Sequence, residues 1–510
     1  MGNVDGRRRD TPLLIVSNRG PVEYYRDHAS GEVHLRRAGG GLATALAAVA
    51  RSRPVTWVAS PVTAADRALL ESGVAPELEG YRRLRFVDSD PAAYKLFYST
   101  ICNPFLWFLQ HALWEQLQRP EPETEALHAW EHGYLPVNEA FGEAVVEELS
   151  RVEGSAQVML HDYQLYTAPR VIRDRAPGAS LQHFIHIPWP PAQEWRKLPS
   201  AITRSICEGL LANDSVVFQT KNDVEHFVAT CQAFLAHTRV THDGAVAYGG
   251  RRTRVWANPI SVDAADLRAR LSSARAEPYR EKLASEMGEL TIVRVDRLDP
   301  SKNVLAGFEA FDLLLRRHPK WKGRVRFLAF LVPSRSRITE YRSYTEDVFA
   351  LVNAINARHG GPGWTPVKVF HEQNRIQALV AMSCYDVLLV NSLRDGMNLV
   401  SKEGAIVNET DGVLVLSVTA GSHAELREGA LSIRPDDIEE TAQALHTALS
   451  MPVEERRRRA ALLRQTVKGH DLDEWLRLQL EDLRAIERAS SREGATKFDQ
   501  TGTIEHWSAS

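Results

Sequence analysis

The chain has 510 residues, 44% of them hydrophobic and 25% charged, with a formal net charge of −3. That near-neutral balance supplies no global field for nucleic acid or an anionic membrane surface, and no apolar run is long enough to span a bilayer. Four scattered cysteines (Cys102, Cys207, Cys231, Cys384) without CxxC spacing argue against a metal site or disulfide framework and fit a cytoplasmic protein.

Residues 1–11 are basic but carry no apolar stretch before a cleavage site, so a flexible tail is expected rather than a secretion signal. Gly2 lacks the hydroxyl residue that myristoylation wants further on. Short Val/Leu-rich runs then alternate with helical stretches. Strands are predicted at 13–17, 55–59, 157–161, 181–186 and 215–219, with a glycine cluster opening a helix at 39–50. A charged, Ala-rich helical stretch follows around 264–287. The strand pattern restarts at 290–295 and continues at 324–332, 367–370, 387–390 and 412–416. This is α/β alternation in two domains, divided near residues 258–265, each with a mostly parallel sheet. A cleft between two such domains faces the carboxyl ends of both sheets, where ligands bind in this architecture. No internal repeat is visible. The basic run at 456–459 reads as a solvated helix face, and the last twenty or so residues as a polar, disordered end.

The richest stretch is 392–403, Ser-Leu-Arg-Asp-Gly-Met-Asn-Leu-Val-Ser-Lys-Glu, directly after a buried-type strand. Strand, glycine turn and helix start bring unpaired N–H groups and a positive helix end to one spot, which suits an anion. Glu403, about one turn further in, can reach a sugar hydroxyl, and Asp395 at the turn can hold a second hydroxylated group. Together they suggest a nucleotide-sugar site; the plainer alternative is an acidic helix start. Arg297 and Lys302, five residues apart past the strand at 290–295, can clamp a pyrophosphate. Gly39-Gly40-Gly41 can let backbone approach a diphosphate, although alone it is a weak signal and a helix-capping turn is the ordinary reading. His161 and His186 each end a first-domain strand, where a structural histidine is the ordinary reading.

Read together, these segments resemble the trehalose-6-phosphate synthases, the retaining family-20 glycosyltransferases. The likeness runs from Leu13 to about Leu483. It rests on Val-Ser-Asn-Arg at 16–19, Gly-Gly-Leu-Ala at 40–43, His-Asp-Tyr-Gln-Leu at 161–165 and His-Ile-Pro-Trp-Pro at 186–190. It continues with Phe-Gln-Thr at 218–220, Val-Asp-Arg-Leu-Asp at 295–299 and Arg-Asp-Gly-Met-Asn-Leu-Val at 394–400. The resemblance implies a GT-B fold: two doubly wound, Rossmann-like domains facing across a cleft, with a final helix crossing back to the first. On that scheme residues 12–262 bind the acceptor, 263–468 the nucleotide-sugar donor, 469–487 return, and 488–510 form a disordered tail.

The implied reaction moves glucose from a nucleotide-glucose to glucose 6-phosphate by front-face attack, the leaving phosphate oxygen taking the acceptor's proton. Arg297 and Lys302 would hold the donor diphosphate, with backbone from Gly40, Gly41, Asn398, Leu399 and Val400. Glu403 would take the ribose, and His186 and Asp395 the donor glucose. Asp162 would contact the acceptor sugar. Arg19, Tyr98 and Arg335 would bind its phosphate, with Trp57 and Trp107 lining the pocket. No metal or cofactor is implied, the partners are small-molecule substrates, and a homo-oligomer stays open. The family often reads Tyr-Ser-Lys-Gly where this chain has Pro300-Ser-Lys-Asn303, and Phe where it has Trp189. Both changes resemble cyclitol-coupling pseudo-glycosyltransferases, an alternative alongside a non-catalytic sugar-phosphate sensor. Glu372 and Gln373 stand where uridine-using members commonly place an apolar or aromatic residue; as acceptors they suit guanine, so GDP-glucose is expected ahead of UDP-glucose. With few residues after Glu487, no phosphatase domain is expected.

Overall fold

The computed structural model describes residues 11–501 apart from 28–29, 38–45, 47–48, 51–52, 74–77, 118 and 153–155, with side chains described to residue 489. Gly40 and Gly41 therefore lie outside the described residues. Two sheets organise the chain. The first runs Tyr81–Phe86, Val55–Ala59, Leu13–Val16, Gln157–His161, Ser180–Phe184, Ser215–Phe218, Arg251–Ala257, Val246–Tyr248, Arg239–Val240. Its first seven strands are parallel and the last two form an antiparallel edge. The second is parallel throughout, in the order Val367–Phe370, Val325–Val332, Leu290–Arg297, Val387–Val390, Val413–Ser417, Leu431–Ile433.

The central strands are apolar along their length because both faces are covered. Leu14 and Val16 enter one core while Leu13 and Ile15 enter the other, so helices sandwich the first sheet. Val293 and Ile292 divide in the same way between the two cores of the second domain. This is the GT-B arrangement.

Among the parallel strands of each sheet the chain reverses direction of growth at one place. In the first it lies between Leu13–Val16 and Gln157–His161, in the second between Leu290–Arg297 and Val387–Val390. Ligands of open α/β sheets bind at the carboxyl ends beside such a switch point. Arg19 and Asp162 follow the first pair of strands; Arg297, Lys302 and Asp395 follow or end the second.

The last helix, Leu472–Thr501, crosses back to the first domain. Leu472, Trp475, Leu476 and Leu483 join the core of Leu13, Ile15 and Phe184, and Asp482 accepts from Gln182 Nε2 at 2.7 Å. Its backbone stays helical past residue 487, so 488–501 is helix where a disordered tail was expected; the Ala, Arg and Glu of that stretch favour its continuation. The stretch at 264–287 is two helices, Ala264–Leu271 and Glu277–Ala284, because Pro278 suits a first turn and not an interior. A π-helical segment, Phe97–Leu106, contains Pro104 and delivers Trp107 to the cleft.

Candidate active site

The second-domain half is built on the strand Leu290–Arg297. Arg294, wholly buried, bonds Asp296 Oδ2 at 2.9 Å, the Lys302 carbonyl at 2.9 Å and Asn391 Oδ1 at 3.0 Å. It thereby fixes the loops after both switch-point strands. Asn303 reinforces this: its Nδ2 donates to the Asn391 carbonyl at 3.1 Å, and Asn391 Nδ2 returns a bond to the Asn303 carbonyl at 3.0 Å.

Asp299, fully buried, gathers the cleft around itself. Oδ1 accepts from Trp107 Nε1 of the first domain at 3.2 Å, and Oδ2 from Arg335 Nη1 at 2.7 Å, with Arg297 Nη2 3.4 Å away. Burial pushes this carboxyl up, but Arg297 and Arg335 outweigh it and hold it well below the usual carboxylate range. The Arg335 guanidinium stacks 4.0 Å over the Trp107 ring and reaches Tyr341 and Tyr163 hydroxyls at 2.7 and 3.3 Å. Tyr98 lies within its electrostatic reach. Arg335 adopts this place at φ 46°, strain that its neighbours hold in place. Sequence reasoning missed Asp299 as a site residue, although it ends the Val-Asp-Arg-Leu-Asp motif.

Lys302 ion-pairs with Asp395, which also accepts from Asn398 Nδ2 at 3.1 Å and Ser392 Oγ at 3.2 Å. Burial raises the Asp395 carboxyl and Lys302 more than compensates, so it is lowered. Asn398, at φ 68°, caps the helix Leu399–Val407 by accepting from Ser401 N at 3.2 Å. Leu399 and Val400 thus present first-turn N–H groups. Glu403 pairs with Arg375 at 3.0 Å, and burial raises its carboxyl against that pull. A Cβ on Gly396 would overlap the His186 carbonyl oxygen, so glycine here lets the two domains touch backbone to backbone.

In the first-domain half, Asp162 sits at φ 70° directly after its strand, accepting from His186 N at 3.2 Å. Burial pushes its carboxyl up to about 7, opposed by the backbone N–H groups of His186, Tyr163 and Ile187 and by Arg335. The His186 ring lies 3.2 Å from that of His161, and burial lowers it to about 3. Arg19 is half exposed and pairs with Glu23 at 3.5 Å; no described bond joins it to the Arg335 cluster.

Trp57 is fully buried, and its indole N–H donates to Ser17 Oγ at 2.9 Å, while Ser17 Oγ donates to the Arg19 carbonyl at 2.7 Å. It supports the loop bearing Arg19. A tryptophan in mid-strand points into one core or the other.

Glu372 and Gln373 are exposed in the loop before the helix Arg375–Ser383. Among the described residues no group of His, Cys, Asp and Glu is suited to a metal ion, and no described helix is long and apolar enough to cross a membrane. Two of the departing residues, Asn303 and Trp189, are accommodated locally. Asn303 occupies a left-handed position (φ 56°), which glycine fills equally, and ties itself to the Pro435 carbonyl at 2.7 Å. Trp189 is buried against Trp195, its indole N–H satisfied by Thr230 Oγ1 at 3.1 Å.

The sequence profile of glycosyltransferase family 20 matches residues 11–485. The chain belongs to that family. It is 35% identical over 483 residues to the bifunctional trehalose-6-phosphate synthase/phosphatase of Thermoproteus tenax, covering 91% of this chain but only 62% of that protein. Against the trehalose-6-phosphate synthase of Mycolicibacterium vanbaalenii identity is 32% over 504 residues, covering 95% of this chain and 98% of the other. A Burkholderia xenovorans α,α-trehalose-phosphate synthase (UDP-forming), solved in complex with glucose-6-phosphate, has a TM-score of 0.80 at 27% identity, covering 93% of this chain and 100% of that one. The family-20 chain described here is accordingly an enzyme, a glycosyltransferase of the trehalose-6-phosphate synthase type.

Proposed function

We propose that the enzyme transfers glucose, with retention, from a nucleotide-glucose to glucose 6-phosphate, giving α,α-trehalose 6-phosphate and the nucleoside diphosphate. The observation that carries this reading is the Asp299 hub, which sets Arg297 beside Arg335 and joins both to Trp107 across the cleft. One guanidinium then serves each substrate: Arg297, with Lys302, the donor diphosphate, and Arg335, with Tyr98 and Arg19, the acceptor phosphate. The bond from glucose C1 to the phosphate oxygen breaks while the acceptor oxygen bonds C1. The acceptor's proton passes to the departing phosphate oxygen, whose charge Arg297 and Lys302 stabilise. Asp162 holds the acceptor sugar, His186 and Asp395 the donor glucose, and Glu403 the ribose. Asn398, Leu399 and Val400 offer backbone to the phosphates, as would Gly40 and Gly41. The division into acceptor domain 12–262, donor domain 263–468 and returning helix belongs to the same reading, as does the cytoplasm as its compartment, in keeping with four free cysteines.

For the base, guanine is proposed ahead of uracil, because exposed Glu372 and Gln373 offer acceptors to its N–H edge. The UDP-forming relative from Burkholderia argues the other way, so the ratio of kcat/KM for GDP-glucose and UDP-glucose is the measurement that decides; a strong UDP-glucose preference overturns this part. The reaction itself is tested by following trehalose 6-phosphate from either donor with glucose 6-phosphate. Lys302→Ala should cut kcat by about 100-fold or more, and near wild-type turnover would sink the assignment. Of the departures that resemble cyclitol-coupling enzymes, Asn303 and Trp189 have local structural explanations.

A further inference from the structure

A chain of hydrogen bonds runs through His186, and its direction is fixed at one end. That end is the backbone N–H of Ile260, in the linker between the strand Arg251–Ala257 and the helix Ala264–Leu271. A backbone N–H only donates, so the Gln219 atom 2.9 Å from it is the carbonyl oxygen Oε1. The amide's other end, Nε2, then faces His186 Nδ1 at 3.5 Å and is the donor of that pair. Nδ1 accepts, so a neutral ring carries its one proton on Nε2. Burial keeps the ring neutral. His186 Nε2 lies 3.2 Å from His161 Nδ1, which accepts in turn, and His161 Nε2 is buried with no partner. Gln219 and His161 are themselves buried, at 3% and 0% exposure, so solvent does not compete for these bonds.

We propose that Gln219 is a positioning residue that fixes His186 as its Nε2–H tautomer, held in orientation by the linker peptide at Ile260. This rests on the reading of His186 as a donor-glucose contact given above. A neutral histidine with Nε2–H offers a proton to a sugar hydroxyl oxygen; the other tautomer offers a lone pair at the same place. Gln219 takes Nδ1 and His161 Nδ1 takes the Nε2 proton, so a sugar hydroxyl reaches that proton only by displacing the bond to His161. The Ile260 carbonyl accepts from Lys402 Nζ at 3.0 Å, one residue from Glu403. A single linker residue thus bonds, through its N–H and its carbonyl, both the residue that sets His186 and the helix that carries Glu403.

The test uses the full-length enzyme labelled with 15N-histidine, the His186 resonances being assigned by their loss in His186→Asn. The expected wild-type spectrum has a protonated Nε2 and an unprotonated Nδ1. Gln219→Glu keeps an acceptor for Ile260 N–H but replaces the donor by a second acceptor, so Nδ1 should become protonated. In that variant kcat/KM for the nucleotide-glucose should fall roughly tenfold or more, with KM for glucose 6-phosphate within about twofold. Gln219→Met, which removes the donor at similar length, should give mixed tautomers, and it decides the matter if the glutamate variant does not fold. A wild-type Nδ1–H tautomer, or unchanged His186 resonances in both variants, overturns the proposal. A wild-type enzyme without synthase activity but with the expected spectrum and its switch would refute the functional reading and leave the tautomer assignment standing.

Discussion

The indole N–H of Trp107 donates to Asp299 Oδ1 at 3.2 Å, a bond from the first domain to the second at the floor of the cleft. Because the same carboxylate holds Arg335 and stands beside Arg297, it ties the contact between the domains to the orientation of the guanidinium proposed for each substrate. Asp299→Asn keeps the shape but removes the charge. Breaking a buried ionic cluster from one side costs about 3–5 kcal/mol, measurable by denaturant unfolding at pH 7. The carboxyl is lowered in the folded state, so its contribution is complete above the unfolded value of about 3.9 and fades only in stronger acid. The stability gap between wild type and variant should therefore be flat from neutral pH down to about 4 and shrink below it. A gap that shrinks between pH 8 and 5 contradicts the paired, ionised state.

Asp162 titrates in the opposite sense. Its carboxyl is raised to about 7 by burial, so the folded state binds a proton that the unfolded chain has already released. Stability from this group is full below about pH 4 and declines as pH rises through 7. An acceptor sugar hydroxyl needs the ionised form, so kcat/KM for glucose 6-phosphate should rise through the same range. Asp162→Asn keeps a residue type that tolerates φ 70° and should lose that limb. The substrate phosphate titrates near pH 6 in both proteins, and the ratio of the two profiles isolates the side chain. Parallel profiles would remove Asp162 from the acceptor site.

Much of this arrangement was legible because strand ends are legible. Arg297, Lys302, Asp395, Asp162 and His186 each lie at or just beyond an apolar run, and in a parallel sheet that places them on the cleft side. A tryptophan within such a run, like Trp57, carries the same signal whether it faces a core or a ligand. Asp299 escaped notice for another reason. Its meaning lies in partners at positions 107 and 335, far away in sequence, and a buried carboxylate looks like any loop aspartate until they converge. Phe97–Leu106 shows no clean helical period because its turns are widened and include Pro104.

Gly396 offers a test of the interface itself. A Cβ there would overlap the His186 carbonyl oxygen, and a Cβ on Gly421 would in turn overlap the Gly396 carbonyl oxygen. These are backbone atoms, which cannot rotate away as a side chain would. Gly396→Ala should leave each domain's core intact while forcing the domains apart. Turnover should fall about 100-fold or more, since misplacement of about 1 Å has effects of that size. Small-angle scattering should report a larger radius of gyration. Wild-type turnover in this variant would show that the contact is not part of the productive state.

Lys402 lies at the other end of the linker contact and is nearly as buried as a core leucine, at 1% exposure. Its ammonium pairs with Glu425 at 2.6 Å and donates to the Ile260 carbonyl at 3.0 Å. Burial lowers its pKa, and Glu425 only partly offsets that. Lys402→Met strands Glu425 and should destabilise the fold by about 3 kcal/mol or more. Adding Glu425→Gln should recover most of the loss, because the cost lies in the uncompensated charge. The folded pKa lies below the unfolded value of about 10.4, so wild type should gain stability relative to the double variant as pH climbs towards that value. If the double variant is no more stable than the single one, the lysine's worth lies in its bond to the linker, and the helix Leu399–Val407 depends on Ile260 more than on the ion pair.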